Sequence, residues 1–192
     1  IVNEQLRKFR ALRSELEKIG IKPPLVHIAN TGACLNYNVS DFTLARPGSG
    51  IYGIPGNDEV NKNLKLAMTV KSYIIQLKDV EKGQGIGYDW KYITPRKMRV
   101  AVLPIGYADI IPRSSSGKLY VYINGSKRKV LGTISMDQII VEAKENDKIN
   151  DDVIIFGKGG QTIFSLSKAG DAFPIEVLCH TGYRINRTYI NK

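Results

Sequence analysis

Apolar positions over the first twenty residues recur every three or four places. Val2, Leu6, Phe9, Leu12, Leu16 and Ile19 share one helical face, with Glu4, Lys8, Arg10, Glu15 and Lys18 between them on the wet side. Gly20 suits a helix stop and Pro23-Pro24 forbids continuation, so the spacing predicts a helix over 1–20. Leu25–Ala29 then reads as a short strand ending at Asn30-Thr31-Gly32, and Phe42–Arg46 as another ending at Pro47-Gly48-Ser49-Gly50. Cys34–Asn38 can supply a turn of helix between them. Helix and strand in alternation is an α/β layout.

Beyond the polar, turn-rich stretch 53–63, read as a boundary, the period changes to two. Residues 66–80, 98–106, 118–123, 127–132, 138–143 and 152–156 are β-branched or aromatic runs bounded by turn residues. Asn124-Gly125 between two such runs predicts a tight hairpin, since both residues tolerate positive φ. One late helix is expected over 165–172, capped by Ser165. The expected fold class is α+β. Residues 1–57 carry the α/β segments, and 58–192 form a mostly β domain of barrel or sandwich type.

Composition narrows the class. The 192 residues are 43% hydrophobic and 24% charged, a globular balance that excludes disordered and collagen-like chains. Cys34 and Cys179 are the only cysteines, which excludes a disulfide-dense scaffold and favours a reduced, cytoplasmic setting. Two Cys and two His give no zinc-finger spacing, and no metal site is expected. No apolar run approaches the roughly 18 residues of a membrane helix, so a membrane enters only through an anchor upstream. No leader pattern opens the chain. Ile1 already lies inside the amphipathic helix, and a longer polypeptide is therefore expected.

The net charge of +10 raises nucleic acid as a partner, through Lys127-Arg128-Lys129 on a hairpin and Arg184, Arg187 and Lys192 near the end. The positive charges are spread along the chain without an aromatic-basic RNA motif, so a solvated surface is the better reading. Asp109 and Asp137 sit in turns where Asp commonly caps, and His27 and His180 lie near no nucleophile elbow. Gly83-Gln84-Gly85-Ile86-Gly87 follows no strand-to-helix switch. Arg46-Pro47-Gly48-Ser49-Gly50 is a better anion loop, because glycines let backbone N–H groups approach closely, although an ordinary turn reads the same. Tyr88, Tyr107 and Tyr183 each stand beside glycine. Such a tyrosine can exchange protons or can be an amphipathic surface aromatic.

Five strings in one order resemble the C-terminal half of the alanine racemase family. They are His27-Ile28-Ala29-Asn30-Thr31; Arg46-Pro47-Gly48 with Ile51-Tyr52-Gly53; Pro104-Ile105-Gly106-Tyr107-Ala108-Asp109; Ser135-Met136-Asp137-Gln138; and Glu176-Val177-Leu178-Cys179 leading to Arg184 and Arg187. The resemblance implies the last βα segments of a (β/α)8 barrel, a β domain, and pyridoxal 5'-phosphate as cofactor. Thr31, Gly48 and Ser49 would then bind the phosphate. Arg46 would face the pyridine nitrogen and His27 would hold Arg46. Tyr88 would be the acid/base on one face of the substrate, the other face belonging to a lysine outside this chain. A free phenol ionises near about pH 10, so such a role needs positive charge nearby. Met136 would hold the substrate carboxylate through its N–H, and Tyr107 and Arg113 would line the access channel.

The same resemblance implies a homodimer with shared active sites, L-alanine to D-alanine racemisation for bacterial peptidoglycan, and an inactive state for this chain alone. Three positions depart from the family pattern: Ile175 where Tyr precedes Glu-Val, Ile110 after Ala-Asp where Gly is usual, and Thr133 where a basic channel residue is common. They keep open a serine/alanine racemase of the vancomycin-resistance type. A non-catalytic β interaction module is the reading from a different class.

Overall fold

In the computed structural model, which describes residues 1–56, 61 and 63–190, the first apolar stripe forms α1 (Val2–Lys18) and Gly20 follows it at φ +85°. Leu6 is buried and Phe9 meets Phe42 edge-on with ring centroids 5.6 Å apart, whereas Leu12 and Ile19 stay exposed. The expected division at 57/58 lies outside the described residues. By packing, the chain separates into Ile1–Ala67 and Met68–Lys192.

The strands expected at 25–29 and 42–46 are extended but form no ladder. They run side by side in parallel, joined by the single bridge Asn30–Arg46 and by Arg46 N–H donating to the Ala29 carbonyl at 2.9 Å. The ladder fails because the Thr43 hydroxyl takes the Val26 N–H at 2.7 Å, while the Thr43 and Leu44 amides both turn to the Val26 carbonyl. Each segment runs into a short helix, α2 (Thr31–Asn36) and α3 (Gly48–Ile51).

In the second unit the single run expected over 66–80 is two strands, β1 (Val70–Tyr73) and β2 (Gln76–Val80). After the small hairpin β3 (Gly85–Ile86) and β4 (Tyr92–Ile93) come β5 (Met98–Leu103), β6 (Tyr120–Ile123), β7 (Ser126–Leu131), β8 (Ile139–Ala143) and β9 (Asp152–Phe156). The main sheet is antiparallel in the order β1-β9-β6-β7-β8-β5-β2. Its two edge strands are separated in sequence only by Ile74 and Ile75, so the sheet curls until its edges meet. These two residues make the switch: Ile74 N–H donates to Asp151 beside β9 and Ile75 N–H to Val102 of β5.

Alternation fills the interior. Val121, Ile123, Val141, Val153 and Ile155 are wholly buried, each worth about 1.5–3 kcal/mol of transfer free energy. Asn124 and Gly125 adopt φ +49° and +71°, as the expected hairpin requires. The late helix α4 (Ile163–Ala169) is capped by Thr162, whose hydroxyl accepts the Ser165 N–H at 3.2 Å; the expected cap, Ser165, lies inside the first turn. A further helix, α5 (Pro174–Cys179), was not anticipated, though Pro174 at its first position and Glu176 accepting from the Phe173 N–H are ordinary start signals.

The basic hairpin is not a uniform surface. Lys127 and Lys129 flank Arg128, which is buried and meets buried Asp147 through contacts of 3.1, 3.3 and 3.4 Å. Asp147 also accepts the Lys144 N–H at 2.7 Å, so its carboxylate is both paired and hydrogen-bonded. Removing one partner leaves a buried charge uncompensated. Asp147→Ala should therefore cost about 3–5 kcal/mol in urea unfolding, whereas Glu142→Ala, at the exposed pair with Arg96, should cost under about 1 kcal/mol. Equal costs would show that burial does not distinguish the two pairs.

In the first unit Arg10 donates to both carboxylate oxygens of Asp41 at 2.7 and 2.9 Å, and Arg13 to the Asp41 carbonyl at 2.8 Å. The Arg10 guanidinium holds the Asp41 carboxyl below its ordinary range. With the folded value below the unfolded one, the clamp contributes above the unfolded value and is lost as pH falls through the folded value. A carboxyl-carbon NMR titration should place the Asp41 midpoint below that of a free aspartate; an ordinary midpoint would mean the clamp is open in solution.

Candidate functional site

Two constellations carry the predicted residues, one in each unit. In the first, α2 and α3 begin where the paired extended segments end, so their first-turn N–H groups lie on one side of the unit. Asn30 caps α2 by accepting the Ala33 N–H at 3.0 Å. Buried Thr31 ties the two helices together: its hydroxyl donates to the Pro47 carbonyl at 2.6 Å and accepts from the Ser49 hydroxyl at 3.0 Å and the Gly50 N–H at 3.1 Å. Gly48 has open space where a side chain would stand. A cleft of about 390 Å³ opens beside these ends, lined by Leu6, Ile28, Ala29, Asn30, Gly32 and Arg46 among others.

Arg46 donates to the Ile28 carbonyl at 3.2 Å. His27 is exposed, and among the described residues no hydrogen bond joins it to Arg46. The positioning expected of the imidazole is supplied by backbone: alternation along the extended segment sends the His27 side chain outward while the next carbonyl meets the guanidinium.

In the second unit the connection 132–138 between β7 and β8 gathers everything else. Tyr88 stands in a 3-10 turn, Tyr88–Trp90, at the tip of the β3–β4 hairpin, and the Thr133 hydroxyl donates to its carbonyl at 3.2 Å. The hairpin is seated by Ile86, which packs with Val80, Met98, Val100 and Leu131. Tyr107 and Ala108 donate their N–H groups to the Ser135 and Met136 carbonyls at 3.0 and 2.9 Å. Gly106 is required there, because a Cβ would overlap the Ser135 and Met136 carbonyls. Ile134 N–H donates to the Ser116 hydroxyl at 3.0 Å, tying in the 3-10 turn that carries Arg113.

Asp109 closes the Tyr107 turn by accepting the Gly106 N–H at 2.8 Å, the capping role expected of it. Its other carboxylate oxygen lies 3.3 Å from Arg184 without hydrogen-bond geometry. Tyr88, Tyr107 and Met136 remain exposed, at 67%, 40% and 57%, so the backbone is fixed while these side chains face outward. Thr133, Ser116 and Asp109 each hydrogen-bond backbone in these turns; Asp109 was legible as a cap and Thr133 as a departure from the family pattern, whereas Ser116 had no signal beyond its place after the Arg113 segment. Among the described residues no cluster of His, Cys, Asp and Glu suits a metal, and no helix is long and apolar enough to cross a membrane.

Residues 67–189 match the alanine racemase C-terminal domain and residues 1–55 the alanine racemase N-terminal domain. The chain belongs to the alanine racemase family. It is 34% identical to the alanine racemase of Halothermothrix orenii, an alignment covering 98% of this chain and 52% of that protein. The solved alanine racemase of Streptomyces coelicolor A3(2) superposes with a TM-score of 0.91 at 31% identity, over 100% of this chain and 52% of that one. The alanine racemase of Bartonella henselae, solved with covalently bound pyridoxal phosphate, gives 0.81 at 32% identity over 97% of this chain and 52% of that one. The chain thus spans about half the length of the relatives it matches.

The departures from the alanine racemase pattern have distinct settings. Ile110 is buried in the core, and Thr133 donates its hydroxyl to the Tyr88 carbonyl. Ile175 lies part-exposed on α5.

Proposed function

We propose that this chain is the second half of an alanine racemase that interconverts L- and D-alanine with pyridoxal phosphate, residues 1–57 completing its barrel. One observation carries the reading: the 132–138 connection holds the turns of Tyr88, Tyr107 and Arg113 together with Met136, and leaves both phenols exposed.

The first unit's donor set fits a phosphate-bearing cofactor. Gly48 and Ser49 offer first-turn N–H groups, Ser49 and Thr31 offer hydroxyls, and Gly48 leaves room for an anion. To donate outward, Thr31 exchanges its bond to the Pro47 carbonyl. Pyridoxal phosphate, when bound, supplies the electron withdrawal that makes an amino-acid α-proton acidic. Arg46, fixed by the Ile28 carbonyl, would face the ring nitrogen as a pure donor that does not release its proton. Tyr88 moves the α-proton on one face, and a base outside this chain serves the other. Met136 N–H takes the substrate carboxylate, and Tyr107 and Arg113 border the approach. In the homodimer each Tyr88 serves the partner's cofactor. The reading carries with it a cytoplasmic enzyme supplying D-alanine for peptidoglycan.

The part-exposed Ile175 on α5 makes serine the second substrate to test. In D2O, the full-length protein with pyridoxal phosphate should exchange the α-proton of L-alanine and form D-alanine. Tyr88→Phe should lower racemisation by about 10²–10⁴-fold. Comparable exchange on L-serine would identify the serine/alanine type. No exchange on either would overturn the enzymatic reading in favour of a β interaction module.

A further inference from the structure

We propose that Thr133 is the positioning residue for Tyr88, an inference that rests on the acid/base role given to that phenol above. The Tyr88 turn is unusual in its backbone. Asp89 and Trp90 adopt φ +58° and +47°, a conformation that non-glycine residues keep only where their surroundings hold it. The Tyr88 side chain, 67% exposed, does little to anchor the turn, so the backbone sets its place.

Three contacts do the holding. Gly87 and Gly132 cross at backbone contact: a Cβ on Gly132 would overlap the Ile86 carbonyl, and one on Gly87 would lie 3.2 Å from the Thr133 nitrogen. The Trp90 ring lies against Gly85, where no side chain could fit. The third contact is the hydroxyl of buried Thr133, donating to the Tyr88 carbonyl at 3.2 Å. Of the three, only this bond acts on Tyr88 itself. A β-branched side chain there has few rotamers to lose. The same residue belongs to the connection whose next residues, Ser135 and Met136, hold the Tyr107 turn. Thr133 therefore fixes the phenol's distance from Met136 and Tyr107, and hence its aim at the substrate.

Thr133→Val keeps the shape and removes the bond, and Thr133→Ser keeps the bond. In the full-length enzyme Thr133→Val should lower kcat for alanine by about 10–100-fold with KM within about twofold, and Thr133→Ser should recover most of the loss. Trp90 belongs to the same turn, so in the full-length protein without cofactor the part of the emission anisotropy that Trp90→Phe removes reports it. It should fall in Thr133→Val and return in Thr133→Ser. Native anisotropy and native kcat in Thr133→Val would overturn the proposal, as would a serine variant no better than valine. Should the native enzyme not turn over alanine, the functional reading fails, while the anisotropy of the valine and serine variants still decides whether Thr133 holds the turn.

Discussion

The second unit depends on backbone contact between one connection and three turns. Residues 132–138 have no regular structure, yet their carbonyls, amides and one hydroxyl reach the turns that carry Tyr88, Tyr107 and Arg113. Sheet order makes this possible. β7 and β8 lie between β6 and β5 in the curled sheet, so their connection emerges beside the end of β5 and beside the hairpin packed on Leu131. Glycine at 87, 106 and 132 lets these backbones meet without intervening side chains. The result is a fixed base under exposed phenols, which suits the role proposed for them.

The chemistry divides between the units for a physical reason. Two helix starts at adjacent extended segments provide N–H groups suited to an anion, and Thr31 links them with three hydrogen bonds. An antiparallel sheet has only a small net dipole, so the second unit offers side chains and turns, to which the proposed reading gives the proton transfer. On the proposed reading the first constellation holds the cofactor's phosphate and the second moves the proton.

Much of this was legible in sequence wherever a local rule governed the outcome. The period of two found the strands β5 to β9, Asn124-Gly125 found the hairpin, and Asp109 was read as a cap. Failures came where a distant partner decided. The 66–80 run looks like one strand because nothing local reveals that Ile74 and Ile75 bond to opposite edges of the sheet. Arg128 looks like a surface cation until Asp147, distant in sequence, buries with it. His27 lies two residues ahead of Ala29, whose carbonyl Arg46's own amide uses, yet the Arg46 guanidinium takes the Ile28 carbonyl and not the imidazole. Thr133 stood out only as a departure from the family pattern, and its hydrogen bond to the Tyr88 carbonyl could not be read from spacing.

Amide hydrogen exchange at Tyr107 and Ala108 tests the central claim most directly, since these two N–H groups bond to Ser135 and Met136. In the native protein both should exchange slowly and with closely matched protection. In Gly106→Ala, where the added Cβ would overlap the same carbonyls, both should lose protection together while the β6–β7 amides keep theirs. Unchanged protection at Tyr107 and Ala108 in that variant would contradict the account, because the connection would then not be what holds the turn.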